Sequence, residues 1–334
     1  MSETPAIRVR HLSHRFGMFD VLRDVSFDVG QGEIFGFIGP NGAGKTTTIR
    51  VMATLLEPMA GRVEVDGVDV TLDPEAVRKT IGYMPDHAGV YERVTVREYL
   101  EFFADAHRVA SPSIVPAVLE LTDLVTLRDK LVATMSKGQK QRLQLARILL
   151  HDPKVLILDE PASDLDPRAR IEMRNLLGEL RSLGKTILLS SHILTELSDV
   201  CTSVAILEKG RLVVSGPIAE IGARLESQRN AEAIGAAPSS TRAPLPPPPV
   251  ARRRVKFRVL GAPEAVAPVL ANAPGVAEVE VLGGWVVASV DGAEQAIAEI
   301  VAHLVAAGVG ILGVEQERNE LERIFLEVTR GEMQ

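Results

Sequence analysis

The chain has 334 residues, 46% of them hydrophobic, and a formal net charge of −7. This length predicts two domains with substantial cores, and the acidic balance argues against a protein that coats nucleic acid. The lone Cys201 excludes an intrachain disulfide and fits a reducing compartment, and the longest apolar stretch, residues 300–314, is too short to cross a membrane.

The N-terminal region predicts short strands around a turn, at residues 7–9 and 25–29. Phe16 lies in the turn-like segment between them. Taken alone, an aromatic residue at this place is most simply a core or edge residue.

A glycine-rich stretch follows the apolar run 34–38 and precedes a helix-compatible segment at 48–56. It fits the pattern G-x-x-x-x-G-K-[ST] in the strand–loop–helix context that this phosphate-binding loop requires. Its glycines let backbone N–H groups turn inward around an anion, and the helix beginning near Lys45 adds its positive N-terminus. We expect Lys45 to reach the β- and γ-phosphates and Thr46 to ligate Mg²⁺. The nucleotide-binding residues predicted here are Gly39, Pro40, Asn41, Gly42, Ala43, Gly44, Lys45, Thr46 and Thr47.

Residues 61–67 and 80–84 predict two further strands, the second stopped by Pro85. The pattern then becomes helical over residues 86–150. Within that segment, Thr95 opens a helix with a capping box.

Aromatic side chains are concentrated in this helical segment and just before it, at Tyr83, Tyr91, Tyr99, Phe102 and Phe103. Two interpretations are open. A small helical core is favoured for Phe102 and Phe103, and a docking groove for a partner helix is favoured for Tyr91 and Tyr99.

A second capping box, from Ser136 to Gln139, starts another predicted helix. The apolar run 155–158 predicts a parallel strand covered on both faces. Asp166 then precedes a proline in the first helical position, which marks a further helix start. A buried strand at 186–190 follows and delivers His192 to its C-terminal end.

Two adjacent carboxylates, Asp159 and Glu160, end the strand at 155–158. A solvated rim is the simplest explanation of such a pair. Their combination with a phosphate-binding loop instead predicts that Asp159 ligates Mg²⁺ and that Glu160 polarises the attacking water. Because side chains alternate in direction along a strand, one carboxylate is expected to face the metal and the other the water.

The sequence changes in kind after a hairpin predicted at 204–214. Residues 227–251 are rich in alanine and proline and predict a linker with a stiff polyproline segment. Residues 252–334 predict the order β-α-β-β-α-β, followed by a last helix at 320–329.

Taken together, these motifs resemble the nucleotide-binding subunit of an ABC transporter over residues 7 to about 225. The segments that carry the resemblance are 39–47, 136–143, 158–161, 163–166 and 190–192. The resemblance implies a homodimer that sandwiches ATP between the phosphate-binding loop of one copy and the helix that starts at Ser136, the signature helix, of the other. Residues 86–150 are similar to the part of such subunits that receives a membrane permease.

Individual roles also follow from the resemblance. Ser136, Gly138 and Gln139 are expected at the γ-phosphate of the ATP held by the other copy. Asp166 is expected in the loop that links the two sites, and His192 at the γ-phosphate and attacking water. Phe16 takes the place of the aromatic residue that stacks on adenine.

One departure from the family pattern concerns Asp86, which stands where the family usually has glutamine. A carboxylate can approach Mg²⁺ directly or through water, but it donates no hydrogen bond as an amide does. Asp86 is therefore a predicted metal ligand beside Thr46 and Asp159.

The predicted fold class is α/β: a P-loop NTPase ABC cassette at 1–226 with a helical subdomain near 86–150, then the linker 227–251 and a small α+β ferredoxin-like domain at 252–334. The C-terminal end is similar to that of exporter ATPases of the daunorubicin-resistance type. The predicted function is ATP hydrolysis, with ATP and Mg²⁺ as cofactors, for a separate membrane permease that docks near 86–110 on the cytoplasmic face of a bacterial or archaeal membrane. No nucleic-acid partner is expected. The alternatives are a soluble ABC ATPase acting on ribosomes or nucleic acid, and a nucleotide-sensing regulator without turnover.

Overall fold

The N-terminal hairpin is part of a four-stranded antiparallel sheet. The computed structural model describes residues 4–86, 89–163, 165–197, 200–222, 224, 252–291 and 294–316. The strands of this first sheet are β1 (Ile7–Phe16), β2 (Phe19–Val29), β4 (Ala60–Val65) and β5 (Val68–Asp69), in the order β2-β1-β4-β5. The two predicted N-terminal strands are thus longer than the sequence suggested, because buried residues recur along β1 as far as His14.

A second sheet of six strands carries the glycine-rich loop and the acidic residues. Its strands are β3 (Ile34–Ile38), β6 (Ile81–Met84), β7 (Val155–Asp159), β8 (Thr186–Ser191), β9 (Ser203–Glu208) and β10 (Arg211–Pro217), in the order β10-β9-β3-β8-β7-β6. All neighbours are parallel except β9 and β10, which form the predicted hairpin. Strands β3, β7 and β8 are buried along their whole length, which explains the apolar runs that they contain.

Helices surround these sheets. They are α1 (Lys45–Met52), α2 (Pro74–Thr80), α3 (Val96–Ala106), α4 (Ile114–Leu121), α5 (Lys137–Leu149), α6 (Pro167–Ser182) and α7 (Leu194–Leu197), and short 3-10 turns lie at Val125–Leu127 and Val132–Thr134. The capping boxes predicted at Thr95 and Ser136 are both formed. In none of the helices among the described residues is there an apolar segment long enough to span a lipid bilayer.

Two helical details differ from the sequence prediction. Helix α1 ends at Met52 and not near residue 56, because Thr54 takes a left-handed conformation and Leu55 donates its N–H to the carbonyl of Arg50. Helix α2 was not predicted. Its start is nevertheless regular, since Asp73 accepts a hydrogen bond from the backbone of Ala76 and a proline follows at the first helical position.

The chain divides after Ile218 into a second compact unit. Its elements are β11 (Arg252–Val259), α8 (Pro263–Ala271), β12 (Val276–Leu282), β13 (Trp285–Asp291), α9 (Glu294–Ala306) and β14 (Ile311–Gln316). The strands lie in the order β12-β13-β11-β14 with every neighbour antiparallel, which is the arrangement of a split βαβ sheet. The linker predicted at 227–251 and the helix predicted at 320–329 lie outside the described residues.

Candidate nucleotide-binding site

The glycine-rich loop connects the buried strand β3 to helix α1 at the carboxyl edge of the parallel sheet. Gly42 and Gly44 have φ angles of 81° and 107°, which residues with a side chain rarely adopt. Gly39 has no such angle, but a Cβ there would lie 2.3 Å from the carbonyl oxygen of Leu207. The sequence pattern therefore has a steric cause at each of its glycines.

Lys45, the first residue of α1, extends back over this loop. Its Nζ donates a hydrogen bond to the carbonyl of Gly39 at 2.7 Å and lies 3.4 Å from Oε1 of Glu160. The side chain is only 6% exposed. A buried ammonium at the N-terminus of a helix makes the loop strongly attractive to an anion.

The side chains of Asp159 and Glu160 point in different directions. The alternation of side chains along a strand, the reason predicted from the sequence, explains this only in part. Asp159 is the last residue of β7, whereas Glu160 lies beyond it with a φ of 51°. This left-handed turn is uncommon for a residue with a side chain. It turns the Glu160 side chain toward Lys45.

His192 follows β8, the strand beside β7. Its Nδ1 lies 2.9 Å from Oε2 of Glu160. The carboxylate of Glu160 thus lies between the imidazole and the ammonium of Lys45, and both oxygens have a nitrogen partner. The structure brings together the three side chains that the sequence predicted as catalytic.

Asp159 lies in an electrostatically costly position. Burial raises the pKa of its carboxyl, and the negative charges of Asp86 and Glu160 raise it as well, although hydrogen bonds donated by Ser190 and Thr46 oppose them. A cation in contact with Asp159 would remove this cost. The hydrogen bond from Thr46 also shows that its hydroxyl lies next to the Asp159 carboxylate.

The predicted metal ligands suit magnesium by their chemistry. Thr46, Asp86 and Asp159 offer oxygen atoms alone, and among the residues that the structure describes no group of three or more His, Cys, Asp or Glu side chains is placed to hold a metal without help. Mg²⁺ is typically bound by one or two carboxylates together with substrate phosphates and water. The donor set thus fits a Mg²⁺ ion that arrives with a nucleotide.

Asp86 lies two residues after the end of β6. The hydroxyl of Ser163 donates a hydrogen bond to Oδ1 of Asp86 at 3.2 Å. Since Ser163 comes three residues after Glu160, this bond joins the segment after β6 to the segment after β7. No local sequence signal indicated the contact.

The hairpin that bears Phe16 is attached directly to the glycine-rich loop. A Cβ on Gly44 would lie 2.6 Å from Cδ2 of Leu22 in β2. The turn at Gly210 adds two backbone hydrogen bonds, one donated to Ala43 and one accepted from Arg23. Phe16 is 52% exposed at the end of β1, so its ring has a free surface on an element fixed to the loop.

The residues predicted to contact a second copy's ATP lie at the start of α5, whereas Asp166, predicted in the loop that links the two sites, lies at the start of α6. Ser136 and Gln139 bond each other across the first turn of α5, through distances of 3.1 and 3.3 Å. Asp166 caps α6 by accepting a hydrogen bond from the backbone of Ala169. Gly138 has a packing role as well, because a Cβ there would lie 2.9 Å from Cβ of Ala169.

The aromatic cluster corrects the sequence interpretation at two positions. Tyr99 was assigned to a groove, yet it is 1% exposed; Phe102 was assigned to a core, yet it is 55% exposed. The reason is the helical period of α3, whose buried face contains Val96, Tyr99 and Leu100. Tyr91 is 59% exposed, as predicted.

Tyr91 and Phe102 form an exposed aromatic surface. Their rings pack edge to face with centroids 5.7 Å apart. Beneath them Phe103 is half-buried, and the guanidinium of Arg147 lies 5.2 Å from the centre of its ring.

Sequence reasoning missed two contacts at the site. Ser190 donates to Asp159, and Gln141 donates from Nε2 to the carbonyl of Pro161 at 3.0 Å. A signal existed for Ser190, because it is a polar residue directly after the apolar run 187–189 of a buried strand. Gln141 had none, since a glutamine in the first turns of a helix is usually solvated.

Comparison with known proteins agrees with this geometry. Residues 22–163 match the ABC transporter domain family. The chain is 41% identical over 194 residues to the ABC transporter ATP-binding protein YhcH of Bacillus subtilis, a match that covers 58% of this chain and 64% of that protein. It is 37% identical over 232 residues to the daunorubicin resistance ATP-binding protein DrrA3 of Streptomyces coeruleorubidus, covering 69% of this chain and 73% of that protein.

A solved structure described as the ATP binding subunit of an ABC transporter is also similar. It shares 33% sequence identity with a TM-score of 0.60, and the match covers 67% of this chain and 94% of that one. The resemblance predicted from the sequence motifs, including that to the daunorubicin-resistance type, is confirmed by these matches.

Proposed function

This chain belongs to the ABC transporter ATP-binding proteins, and from that premise we propose that two copies close on ATP and Mg²⁺, hydrolyse the nucleotide and drive a separate membrane permease. The observation that carries hydrolysis is the position of Glu160 between Lys45 and His192. A carboxylate beside a buried ammonium and an imidazole can orient a water molecule and accept its proton, next to a loop built for phosphate.

Lys45 and His192 have complementary parts in this reaction. Lys45 lies over the glycine-rich loop and would balance the charge that develops on the β- and γ-phosphates. His192 is half-exposed, with 42% of its side chain accessible. Its second ring nitrogen is therefore available to a γ-phosphate oxygen, while the first is held by Glu160.

A magnesium ion would be held by Thr46 and Asp159, with Asp86 nearby. When bound, Mg²⁺ would supply positive charge that offsets the negative charge of the phosphates. Thr46 and Asp159 are already in contact with each other, so they need little rearrangement to present two oxygens to one ion.

The residues at the starts of α5 and α6 support the proposed dimer. The start of α5 offers an exposed Ser136 and a helix N-terminus, which suit the γ-phosphate of a nucleotide held by the other copy. Gly138 and Gln139 belong to that same turn, and Asp166 caps the neighbouring helix α6. Phe16 would stack on the adenine from its own copy's hairpin.

The permease would dock at the exposed aromatic surface formed by Tyr91 and Phe102, within residues 86–110. A groove of about 340 Å³ is lined by Val90, which precedes Tyr91 in the sequence, and by residues that include Asp86 and Lys140. An amphipathic helix could lay its apolar face on the two exposed rings. Such docking would hold the subunit on the cytoplasmic face of a bacterial or archaeal membrane, and the similarity to a daunorubicin resistance protein favours export of a drug, antibiotic, lipid or other small molecule.

The test uses the full chain, expressed together with candidate membrane permeases. We expect steady Mg²⁺-dependent ATPase activity whose rate per subunit rises with subunit concentration. We also expect the permease to copurify with the chain, and the double change of Tyr91→Ser and Phe102→Ser to weaken this copurification. The control Phe19→Ser changes an exposed aromatic residue on another element. An activity per subunit that does not change on dilution would refute the dimer. Absence of turnover would favour a nucleotide sensor. Copurification with ribosomes or nucleic acid would favour the soluble ABC ATPase.

A further inference from the structure

The hydroxyl of Ser190 contacts both Asp159 and Glu160. Its Oγ donates a hydrogen bond to Oδ1 of Asp159 at 2.6 Å and accepts one from the backbone N–H of Glu160 at 3.0 Å. Ser190 itself is 0% exposed. One buried hydroxyl thus connects the side chain of one acid to the main chain of the next.

The sheet explains why these contacts form. Asp159 and Ser190 are neighbours in the parallel pair of β7 and β8. Glu160 then leaves the strand with its φ of 51°, so its N–H departs from the strand conformation and needs another acceptor. The serine hydroxyl supplies that acceptor where a buried, unpaired N–H would be costly.

A serine at this position is unexpected for a core strand. The preceding residues of β8 are Thr186, Ile187, Leu188 and Leu189, and all of them are buried. An aliphatic side chain at 190 would suit the packing, but it would leave two polar groups beside it without that partner.

We propose that Ser190 is a positioning residue for the ATPase reaction, an inference that rests on the proposed function. Its hydroxyl orients the Asp159 carboxylate toward Mg²⁺, and the same hydroxyl holds the left-handed turn that directs Glu160 to Lys45 and His192. The metal ligand and the water-orienting group are thereby set by one atom. Hydrogen bonds to charged groups are stronger than those between neutral groups. Loss of the Ser190 hydroxyl should therefore affect Mg²⁺ binding through Asp159 more than it affects the position of Glu160.

A second buried serine provides a matched control. Oγ of Ser203 donates to Oε2 of Glu33 at 2.7 Å, which is the same chemistry in the same sheet. Ser203 is the first residue of β9, however, at the edge opposite to the nucleotide site. Ser203→Ala therefore measures what loss of a buried serine–carboxylate bond does to folding alone.

The test compares Ser190→Thr with Ser190→Val in the full chain. The two side chains have nearly the same shape and differ by the hydroxyl, so a packing effect appears equally in both. The affinity for a fluorescent ATP analogue is titrated with EDTA and with Mg²⁺, and Mn²⁺ binding is followed by electron paramagnetic resonance. We expect Ser190→Thr and Ser203→Ala to resemble the wild type. In Ser190→Val the gain in affinity that Mg²⁺ provides should fall about 10- to 100-fold, with the affinity in EDTA unchanged.

The outcomes separate this inference from the function on which it rests. If the wild type binds nucleotide with no dependence on Mg²⁺ and does not hydrolyse it, the proposed function fails. If the wild type behaves as expected and Ser190→Val matches Ser190→Thr in metal dependence and turnover, only the role of Ser190 is overturned. Equal loss of affinity in EDTA and in Mg²⁺ would likewise overturn it, since that pattern indicates a packing defect.

Discussion

Nδ1 of His192 lies 2.9 Å from Oε2 of Glu160. The two residues follow β8 and β7, which are neighbours in the sheet, so the contact depends on strand order and not on proximity in sequence. Because the other oxygen of Glu160 lies 3.4 Å from Nζ of Lys45, changes at Glu160 affect both nitrogen partners.

Replacing Glu160 by glutamine should retain ATP binding and stop turnover. The amide keeps the shape of the side chain but accepts no proton, and loss of a general base typically lowers the rate about 10²- to 10⁴-fold. Turnover is measured by phosphate release and the closed dimer by size-exclusion chromatography with ATP, where it should accumulate. The exposed Glu179→Gln is the control. Unchanged hydrolysis in Glu160→Gln would remove Glu160 from its role.

Replacing Lys45 by alanine should abolish binding of the triphosphate. The ammonium is buried beside the glycine-rich loop, and loss of a buried charge that pairs with an anion weakens binding strongly. Nucleotide titration by fluorescence would show a decrease of at least about 100-fold, taking the roughly 3 kcal/mol cost of breaking a buried pair. The exposed Lys79→Ala should bind as the wild type does, and near-normal affinity in Lys45→Ala would contradict the assignment.

Asp159→Asn should make the protein without ligands more stable and less active. Burial raises the pKa of Asp159 above its ordinary value. The ionised form therefore costs stability once the pH exceeds that raised pKa, and this cost is absent at lower pH where the carboxyl is protonated. Removing the charge should raise Tm at pH 7.5 by about 2–4 °C, the shift that about 1 kcal/mol produces in a domain of this size. Calorimetry without ligands would test the stability, and phosphate release with Mg²⁺–ATP would test the activity. A lower Tm for the variant without ligands would contradict the first expectation.

The role of Asp86 is tested by its replacement with alanine. If Asp86 approaches Mg²⁺, the Mg²⁺ concentration needed for half-maximal ATPase should rise, and stimulation by the permease should fall. Ser163→Ala removes the hydrogen bond to Asp86 but keeps the carboxylate, so it should change the metal dependence less. If Asp86→Ala leaves both the metal dependence and the stimulation untouched, Asp86 is not a metal ligand.

A stacked pair of imidazoles predicts a loss of stability toward acidic pH. The rings of His107 and His151 lie 4.3 Å apart and within 8° of parallel. Burial lowers the pKa of His107, and the neighbouring His151 and Arg147 lower it further. The unfolded chain therefore binds a proton at His107 more readily than the folded protein does. Above the unfolded pKa of about 6.5 both states are neutral at His107 and no stability is lost, whereas below it the free energy of unfolding falls as the pH drops.

The measurement is Tm from pH 8 to pH 5 by scanning fluorimetry. His107→Phe keeps a flat ring without a titrating group, so its Tm should decline less than that of the wild type. His303→Phe, in the C-terminal unit, should retain the wild-type slope. Parallel curves for His107→Phe and the wild type would show that the stacked pair does not contribute.

Local sequence patterns were sufficient where one stretch of chain contains the whole physical cause. The positive φ angles of Gly42 and Gly44, the capping boxes at Thr95 and Ser136, and the apolar runs of β7 and β8 each act within a few residues. Their elements were accordingly predicted close to their observed positions. The family resemblance followed from the order of these motifs.

Only the tertiary structure decided which side chains meet and which face water. The exposure of Phe102 and the burial of Tyr99 depend on what packs against α3, and the need for glycine at 138 depends on the approach of Ala169 from another helix. The bonds of Ser190 to Asp159 and Glu160 join residues some thirty positions apart, because β7 and β8 are adjacent in the sheet. The sequence by itself determined the local elements and the types of reactive group. Strand order, helix packing and one left-handed residue placed those groups within bonding distance, since these depend on contacts between distant segments of the chain.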